Sequence, residues 1–236
     1  VLAANGIKTY LFTGMRATPE LSFAVRELDA IGGIVVTASH NPPEYNGYKL
    51  YWEDGGQVVP EQARDIIAEI EEIDDFSIVK TMDEMEAANQ GLLNYIGSEV
   101  DESYQQTLMG VLPDTDLAAE KGSNLSVVYT PLHGTGSTVV PKLLSNLGFS
   151  NLNVVEEQAD GDSEFSTVES PNPEDRDAFE LALKLAEKKD AEIILATVLF
   201  IIKKLFDFFS HSCYRQIKLL TVLCNRPPRN RIPLFF

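Results

Sequence analysis

The order of apolar and polar positions in the first part of the chain predicts a strand, a helix and a second strand. Residues 7–12 form a short apolar run typical of a buried strand, and residues 32–37 form another that is rich in β-branched side chains. Between them, Thr18 is predicted to be the N-cap of a helix whose first position is Pro19. This order predicts a βαβ unit and therefore a largely parallel sheet. Further along the chain, residues 113–124 are predicted to be a linker, and a helix from Pro60 is predicted to have one apolar face, formed by Ile66, Ile67, Ile70 and Ile73.

The second part of the chain repeats the alternation more regularly. Helical patterns separate three predicted strands at residues 125–130, 152–155 and 193–196. This order predicts an open, doubly wound sheet, whose ligands gather at the carboxyl ends of its strands. We therefore predict an α/β protein with two doubly wound, mostly parallel α/β/α domains, at residues 1–96 and 97–197, followed by an irregular tail at residues 198–236.

The composition indicates which kinds of molecule the protein is expected to bind. The 236 residues carry a formal net charge of −17, which argues against a nucleic-acid partner and favours a cytoplasmic protein. No apolar run is long enough to span a bilayer, so we expect no membrane partner, and the oligomeric state stays open. The chain begins with Val1, followed by a pattern like the end of a helix, from which we expect that upstream sequence is missing.

The charge reverses at the start of the tail. Residues 198–236 contain seven Lys or Arg residues and one acid, whereas the preceding residues are strongly acidic. Three explanations compete: an out-of-frame translation, a divergent end that binds a membrane or a partner, and a divergent third domain. The abrupt change favours the first explanation. Contact of a basic, aromatic tail with an anionic membrane is a minor alternative.

The loop after the second predicted strand carries the strongest candidate chemistry. Ser39 and His40 follow this strand, Pro42 and Pro43 stiffen the loop, and Lys49 comes shortly afterwards. An isolated serine here would be read as a turn residue, but these neighbours favour a positioned nucleophile with two cations near it. A Ser-His-Asp hydrolase is the rival, and "TASHN" lacks both glycines of its G-x-S-x-G elbow.

The segment "GGIVVTASHNPPEYNGYKLY" closely resembles the active-site loop of the α-D-phosphohexomutases, the phosphoglucomutase and phosphomannomutase family. Four further segments agree in order and spacing: "TPELSFAVR", "TPLHGTG", "ESPNPE" and "AEIILAT". The resemblance implies that the two predicted domains are domains 1 and 2 of a four-domain enzyme. Domain 1 would be truncated at its amino end, and domain 2 would end before the metal-binding loop.

The resemblance also implies roles for individual residues. Ser39 is similar to the serine that is phosphorylated in the active enzyme, His40 to the active-site histidine, and Lys49 to a lysine implicated in acid–base chemistry. Further predicted substrate- or phosphate-binding residues are Asn41, Arg16 and His133. The G-x-G after His133 is weak evidence for a phosphate cradle, and close packing or a domain contact explains that loop better.

The family resemblance implies Mg²⁺, held by an oxygen of the phosphorylated Ser39 and by three aspartates in a D-x-D-x-D loop. In this chain Val198, Phe200 and Ile202 stand where the aspartates are expected, and none of them offers the oxygen that a hard cation needs. The metal site is therefore predicted to be incomplete. The D-G-D at residues 160–162 is predicted to be a surface turn, with a Ca²⁺ site as the minor alternative.

From the resemblance we expect a phosphosugar mutase of carbohydrate metabolism, an isomerase that acts as an intramolecular phosphotransferase. It would move a phosphoryl group between C1 and C6 of a hexose through a phosphoserine and a bisphosphate intermediate, with a sugar bisphosphate as activator. We expect this chain to be an inactive or impaired fragment. The alternatives are a fragment of a phosphopentomutase and a non-catalytic remnant that binds phosphosugars.

Overall fold

The computed structural model describes residues 1–37, 47–162, 164–168 and 176–197, together with the backbone of residues 220–224. Their strands form two sheets, one with five strands and one with three. The predicted α/β fold is confirmed; the second sheet is parallel throughout, and the first is mixed.

The first sheet is mixed. Its strands are β1 (Lys8–Phe12), β2 (Gly32–Thr37), β3 (Gly47–Trp52), β4 (Leu93–Ile96) and β8 (Leu220–Cys224), in the spatial order β3-β2-β8-β1-β4. β1 and β4 are parallel, β2 and β3 form an antiparallel pair, and β8 runs antiparallel to both β1 and β2. Within the tail that the sequence predicts to be irregular, the structure therefore describes one strand.

Four helices accompany the first sheet: α1 (Thr18–Glu27), α2 (Pro60–Glu71), α3 (Glu84–Asn89) and α4 (Ser98–Val111). Ala17, and not Thr18, is the N-cap residue of α1, so the predicted cap is wrong by one position. The helix begins earlier because Pro19 fits either of its first two positions, where no intrahelical N–H bond is lost.

α1 covers one face of the first sheet and encloses its core. The core consists of apolar side chains from α1, from the strands and from the start of α4, namely Phe12, Leu21, Phe23, Ala24, Val25, Ala30, Val35, Ile96 and Val100. Gly33 in β2 allows this close approach, because a Cβ atom there would lie 2.7 Å from Cγ2 of Val25 and 3.1 Å from Cδ1 of Leu21. The helix can lie this close to the sheet only where the strand has no side chain.

The second sheet is entirely parallel. Its strands are β6 (Asn151–Val154), β5 (Ser126–Thr130) and β7 (Ile193–Ala196), in that spatial order, and its helices are α5 (Thr115–Lys121), α6 (Val140–Asn146) and α7 (Glu180–Lys189). α7 packs on β5 through Val128, Ala182 and Ala186.

α5 lies in a segment, residues 113–124, that the sequence predicts to be a linker. The Asp114 carboxylate accepts a hydrogen bond of 2.8 Å from the Leu117 backbone N–H and thereby caps the helix. The prediction of a linker is wrong there, because this cap lies in a polar stretch without a strong apolar period.

α4 contacts both parts of the molecule. Tyr104 packs against Phe23 of α1 with 5.3 Å between ring centroids, and the next residue, Gln105, donates a hydrogen bond of 2.8 Å to the Val139 carbonyl. The boundary predicted at residue 96 stays a prediction. In the part of the chain that the structure describes, no helix is long and apolar enough to cross a membrane.

Gly33→Ala is expected to lower the free energy of unfolding by about 1–3 kcal/mol, because the added methyl group clashes with two packed core side chains. Gly110→Ala is the matched control. Gly110 lies exposed in α4 with open space around its Cα, so this change is expected to stabilise the fold by about 0.5–1 kcal/mol. Denaturant-induced unfolding followed by circular dichroism measures both changes. Equal effects of the two substitutions would contradict the packing assigned to Gly33.

Candidate functional site

The loop with the candidate nucleophile joins two paired strands. β2 and β3 are hydrogen-bonded up to the Thr37–Gly47 pair, so the two ends of the segment 38–46 are held side by side. Ser39, His40 and Asn41 lie outside the described residues. Lys49 lies two residues beyond Gly47 in β3, opposite Val35 of β2, and is half-buried.

The carboxyl ends of three strands of the first sheet lie at one edge. β1 and β4 are parallel, and β1 and β2 share their direction because both run antiparallel to β8. The segment 38–46 therefore follows the same edge as the loop 13–17 after β1, which contains Arg16. Two of the predicted site segments are brought to one edge of one sheet.

Arg16 is held by a two-pronged ion pair with Asp101 of α4. Its Nε lies 2.6 Å from Oδ1 of Asp101, and its Nη2 lies 2.7 Å from Oδ2. Nη1 also donates to the Met15 carbonyl at 2.9 Å. A guanidinium group has five N–H donors, so two remain without an acceptor among the described residues. This geometry orients the group and leaves donors for an anion.

The pKa values of this pair follow from partial burial and from the ion pair. Burial alone would lower the pKa of Arg16, but the hydrogen bond and the charge of Asp101 outweigh it and raise the pKa. Burial alone would raise the pKa of Asp101, but hydrogen bonds from Arg16 and Glu20 outweigh it and lower the pKa. Both groups are therefore charged over the physiological pH range.

Glu20 is a fully buried acid beside this pair. Its side chain has no exposed surface, and its Oε1 lies 3.8 Å from Nε of Arg16. Burial raises the pKa of Glu20 to about 8, the neighbouring Asp101 adds to the shift, and Arg16 opposes it. Neither oxygen of Glu20 receives a hydrogen bond from the part of the chain that the structure describes, which would be costly for a carboxylate. The lowered pKa of Asp101 includes the effect of a hydrogen bond from Glu20, which only the protonated acid can donate; with Glu20 protonated, the three groups together are electrically neutral.

His133 lies at the carboxyl end of β5, in the second sheet, with both ring nitrogens occupied. Nδ1 lies 3.0 Å from the Asp160 carbonyl, which can only accept, so Nδ1 is the donor. Nε2 lies 2.8 Å from the Thr167 hydroxyl. His133 is buried and has a left-handed backbone with φ of 62°. No described contact joins it to Arg16 or Lys49.

A chain of hydrogen bonds extends from His133 into the second sheet. The Gln158 amide donates to the Thr167 hydroxyl at 3.0 Å, and the Thr130 hydroxyl donates to the Gln158 carbonyl oxygen at 2.6 Å. The His133 backbone N–H donates to the Gln158 backbone carbonyl at 2.9 Å. Every side chain in this chain of contacts has a partner, so the network orders the loops after β5 and β6.

The carboxyl end of β7 is closed by a tyrosine. The Tyr129 and Thr197 hydroxyls lie 2.6 Å apart, and burial raises the pKa of Tyr129 to about 12. Gly136 passes so close that a Cβ atom would overlap both hydroxyls. The glycine-rich loop therefore packs directly on the strand ends at this point.

The residues near β7 do not fit Mg²⁺. The side chains that follow Thr197 in the sequence, at residues 198–202, are all apolar. Among the residues that the structure describes, no group of three or more His, Cys, Asp or Glu side chains is placed to hold a metal ion. Hard cations need oxygen ligands, and this donor set supplies too few.

Two polar clusters were not predicted from the sequence. The acid Glu20 lies on the apolar side of α1, one helical turn before Phe23 and Ala24, and this misplaced charge was the available signal. The network of Gln158 and Thr167 gave no such signal, because its members lie in separate loops. Their contacts depend on tertiary structure alone.

Two family models match the chain. The model of phosphoglucomutase/phosphomannomutase, alpha/beta/alpha domain I, matches residues 1–76, and the model of domain II of the same family matches residues 102–197. The two predicted site residues with described side chains in the first match are Arg16 and Lys49.

Curated relatives and solved structures agree with these matches. A phosphoglucomutase of Staphylococcus epidermidis is 40% identical over 200 residues, which cover 84% of this chain and 35% of the relative, and one of Staphylococcus aureus is 39% identical over 200 residues, which cover 84% and 34%. The chain thus spans about a third of the length of these relatives.

Among solved structures, a Thermus thermophilus protein assigned as a phosphomannomutase is 28% identical with a TM-score of 0.62, covering 84% of this chain and 40% of that one. The open form of parafusin from Paramecium is 21% identical with a TM-score of 0.51, covering 75% of this chain and 35% of that one, and shares the fold.

Glu20→Gln is expected to stabilise the fold relative to the parent increasingly as the pH rises from about 4.5 to about 8. In this range Glu20 keeps its proton in the folded state but has lost it in the unfolded state. The contribution of Glu20 to stability is therefore complete below its pKa in the unfolded chain, and it is lost as the pH rises through its pKa in the folded chain. Glutamine stays neutral, and its amide can donate to Asp101 in place of the acid proton. The difference in unfolding free energy should grow by at most about 1.4 kcal/mol per pH unit.

Denaturant unfolding of both proteins across this pH range measures the difference. Glu102→Gln, on the exposed face of α4, controls for the loss of one carboxylate. A difference between Glu20→Gln and the parent that does not change with pH would rule out a buried, protonated Glu20.

Thr167→Val is expected to lower the free energy of unfolding by about 1–3 kcal/mol, because it leaves the Gln158 amide and the His133 Nε2 without a partner. Thr107→Val, an identical change at an exposed position of α4, should have a much smaller effect. Chemical denaturation compares the two variants. If Thr167→Val were as mild as the control, the hydrogen-bond network would not order this edge.

Proposed function

Because the chain belongs to the phosphoglucomutase/phosphomannomutase family, we propose that Ser39 is the phosphoryl carrier of a phosphosugar mutase. One observation carries this proposal above the others. The ends of the Ser39 segment are paired at Thr37 and Gly47, at the sheet edge where Arg16 is also anchored.

Transfer of a phosphoryl group depends mainly on a correctly positioned acceptor and on positive charge that stabilises the transition state. In the proposed step the Ser39 Oγ attacks a phosphorus atom of a sugar bisphosphate, a bond from oxygen to phosphorus forms, and the bond from phosphorus to the sugar oxygen breaks. The serine proton passes to a general base of the site, the role that the family resemblance gives to Lys49, and the same group returns a proton to the departing sugar oxygen. The reverse step returns the phosphoryl group to the other sugar hydroxyl.

Arg16 is proposed to bind the phosphate that is not transferred. Asp101 occupies one side of its guanidinium group, and the two remaining N–H donors are those that an anion would use. His40 and Asn41 are proposed to contact the transferred group. His133 was also predicted to bind phosphate, but it has protein partners on both ring nitrogens, and we propose that it orders the second sheet instead.

The extent of the chain limits how much of the reaction we assign to it. It spans about a third of the curated relatives, and Mg²⁺ and the sugar bisphosphate activator remain expectations of the family. Residues 198–202 offer no side-chain oxygen, so no step of the mechanism is routed through the ion. The same residues favour a second candidate, a non-catalytic remnant that binds phosphosugars. We propose an impaired cytoplasmic phosphoprotein that accepts a phosphoryl group without efficient turnover.

Incubation with glucose 1,6-bisphosphate is expected to add the mass of one phosphoryl group to the full chain, on Ser39. Intact-mass spectrometry with peptide mapping measures this addition. Ser39→Ala should abolish it, whereas Ser137→Ala, in the short 3₁₀ helix Thr135–Thr138 that follows β5, should not. Lys49→Met should slow it at least tenfold, and Lys80→Met, at an exposed site, should leave it unchanged.

Conversion of glucose 1-phosphate to glucose 6-phosphate by the same chain, in a coupled assay, is expected to be negligible. Absence of any added mass on a folded chain would exclude the phosphoryl carrier and leave the binding remnant. Turnover above about 1 per second would exclude an impaired fragment.

A further inference from the structure

β1 and β2 are parallel and lie one strand position apart in the first sheet. α1 connects them directly along the chain, and β8 lies between them in space. Since neighbouring strands are about 4.8 Å apart, β1 and β2 are roughly 9.6 Å apart, which is too far for direct N–H to O=C bonds. The sheet therefore contains a gap that is one strand wide and is closed only by a third segment.

The gap is lined by buried backbone. Thr9 of β1 and Ile34 and Val35 of β2 are all less than a tenth exposed in the closed sheet. With β8 in place, backbone N–H and C=O groups in these positions have no access to water, so their partners lie inside the protein. An empty gap would leave two rows of these groups unpaired beside the core of the first sheet.

β8 closes the gap from both sides. Thr221, Val222 and Leu223 are paired at the same time with Thr9–Leu11 of β1 and with Gly32–Ile34 of β2. One further residue at each end of β8 pairs on one side only: Leu220 with Val35, and Cys224 with Lys8. The occupant is thus a short extended segment, recognised through its backbone and running antiparallel to both neighbours.

The occupant comes from a part of the chain that neither family model matches. The models cover residues 1–76 and 102–197, and β8 begins at Leu220. The 22 residues 198–219 span up to about 75 Å when extended, so the chain that ends β7 can also supply β8.

We propose that the gap between β1 and β2 is a strand-binding site for an extended antiparallel peptide segment, and that residues 220–224 of the same chain occupy it. The tail is then a structural part of the first sheet and not an appendage. The proposal is independent of the phosphoryl chemistry assigned to Ser39, because it concerns the central strands and not the loops at their ends.

A disulfide tests the register. Directly opposed residues of an antiparallel pair have Cα atoms roughly 4.5–5.5 Å apart, within the range that a disulfide spans. In the full chain with Cys213→Ser, Lys8→Cys is expected to form a disulfide with Cys224 under oxidised glutathione, within one molecule. Peptide mapping and intact mass identify the product. Strong denaturant should lower its yield at least fivefold.

Thr9→Cys in the same background is the matched control, because Thr9 is paired with Leu223 and not with Cys224. It should be linked at least fivefold more slowly. Linked dimers would overturn the assignment of the occupant to the same chain. Absence of a link between residues 8 and 224, in a variant whose circular dichroism matches the parent, would overturn the strand itself.

A proline provides a second test that does not depend on thiols. Val222→Pro removes a backbone N–H at the centre of β8, and proline is tolerated poorly in central strands. We expect hydrogen exchange at Thr9–Leu11 and Gly32–Ile34 to accelerate at least tenfold, with a lower unfolding midpoint. Ser212→Pro, outside the described strand, should change neither. Unchanged exchange in Val222→Pro would overturn the proposal.

Discussion

The ion pair between Arg16 and Asp101 is the contact on which the placement of the candidate site depends. Arg16 lies in the loop at the carboxyl edge of the first sheet, and Asp101 lies in the first turn of α4. Four residues further along the same helix, Gln105 donates to the Val139 carbonyl beside the second sheet. A helix thus connects the sheet edge that carries Arg16 to the second sheet. Because the pair is short, two-pronged and mostly buried, solvent and salt screen it less than an exposed ion pair.

Both polar clusters contain buried polar groups, and each cluster satisfies them in a different way. In the first, a buried acid keeps its proton, so that it adds no further negative charge beside the ion pair of Arg16 and Asp101. In the second, hydroxyl and amide groups form a chain of hydrogen bonds that ends on His133. Buried polar groups without partners would be costly at either place, and the sequence supplies partners from distant segments. The carboxyl edges of both sheets are therefore held by side chains and not only by the strands.

The strands that surround these edges were predictable, since each is a short apolar run with few competing signals. β7 agrees with the prediction at both ends, and β1 and β5 are one residue shorter than predicted. Helix packing was harder to predict from the sequence. The periodicity of α2 predicts an apolar face, yet Ile66 is buried while Ile67 and Ile70 are exposed. Periodicity identifies a face but does not identify what covers it. β8 was missed for a related reason, because its pairing partners lie about two hundred residues away and no local pattern records them.

The Thr37–Gly47 pair has an entropic consequence for the loop that it closes. A free chain of this length loses conformational entropy when its ends are brought together around a ligand, and this cost lowers the affinity for the ligand. Here the hairpin between β2 and β3 has already joined the ends, using hydrogen bonds that belong to the sheet. A phosphosugar that binds at this loop, as proposed for Ser39, would meet a segment whose two ends are already fixed. More of its interaction with the loop is then available for affinity and for orientation of the reacting atoms.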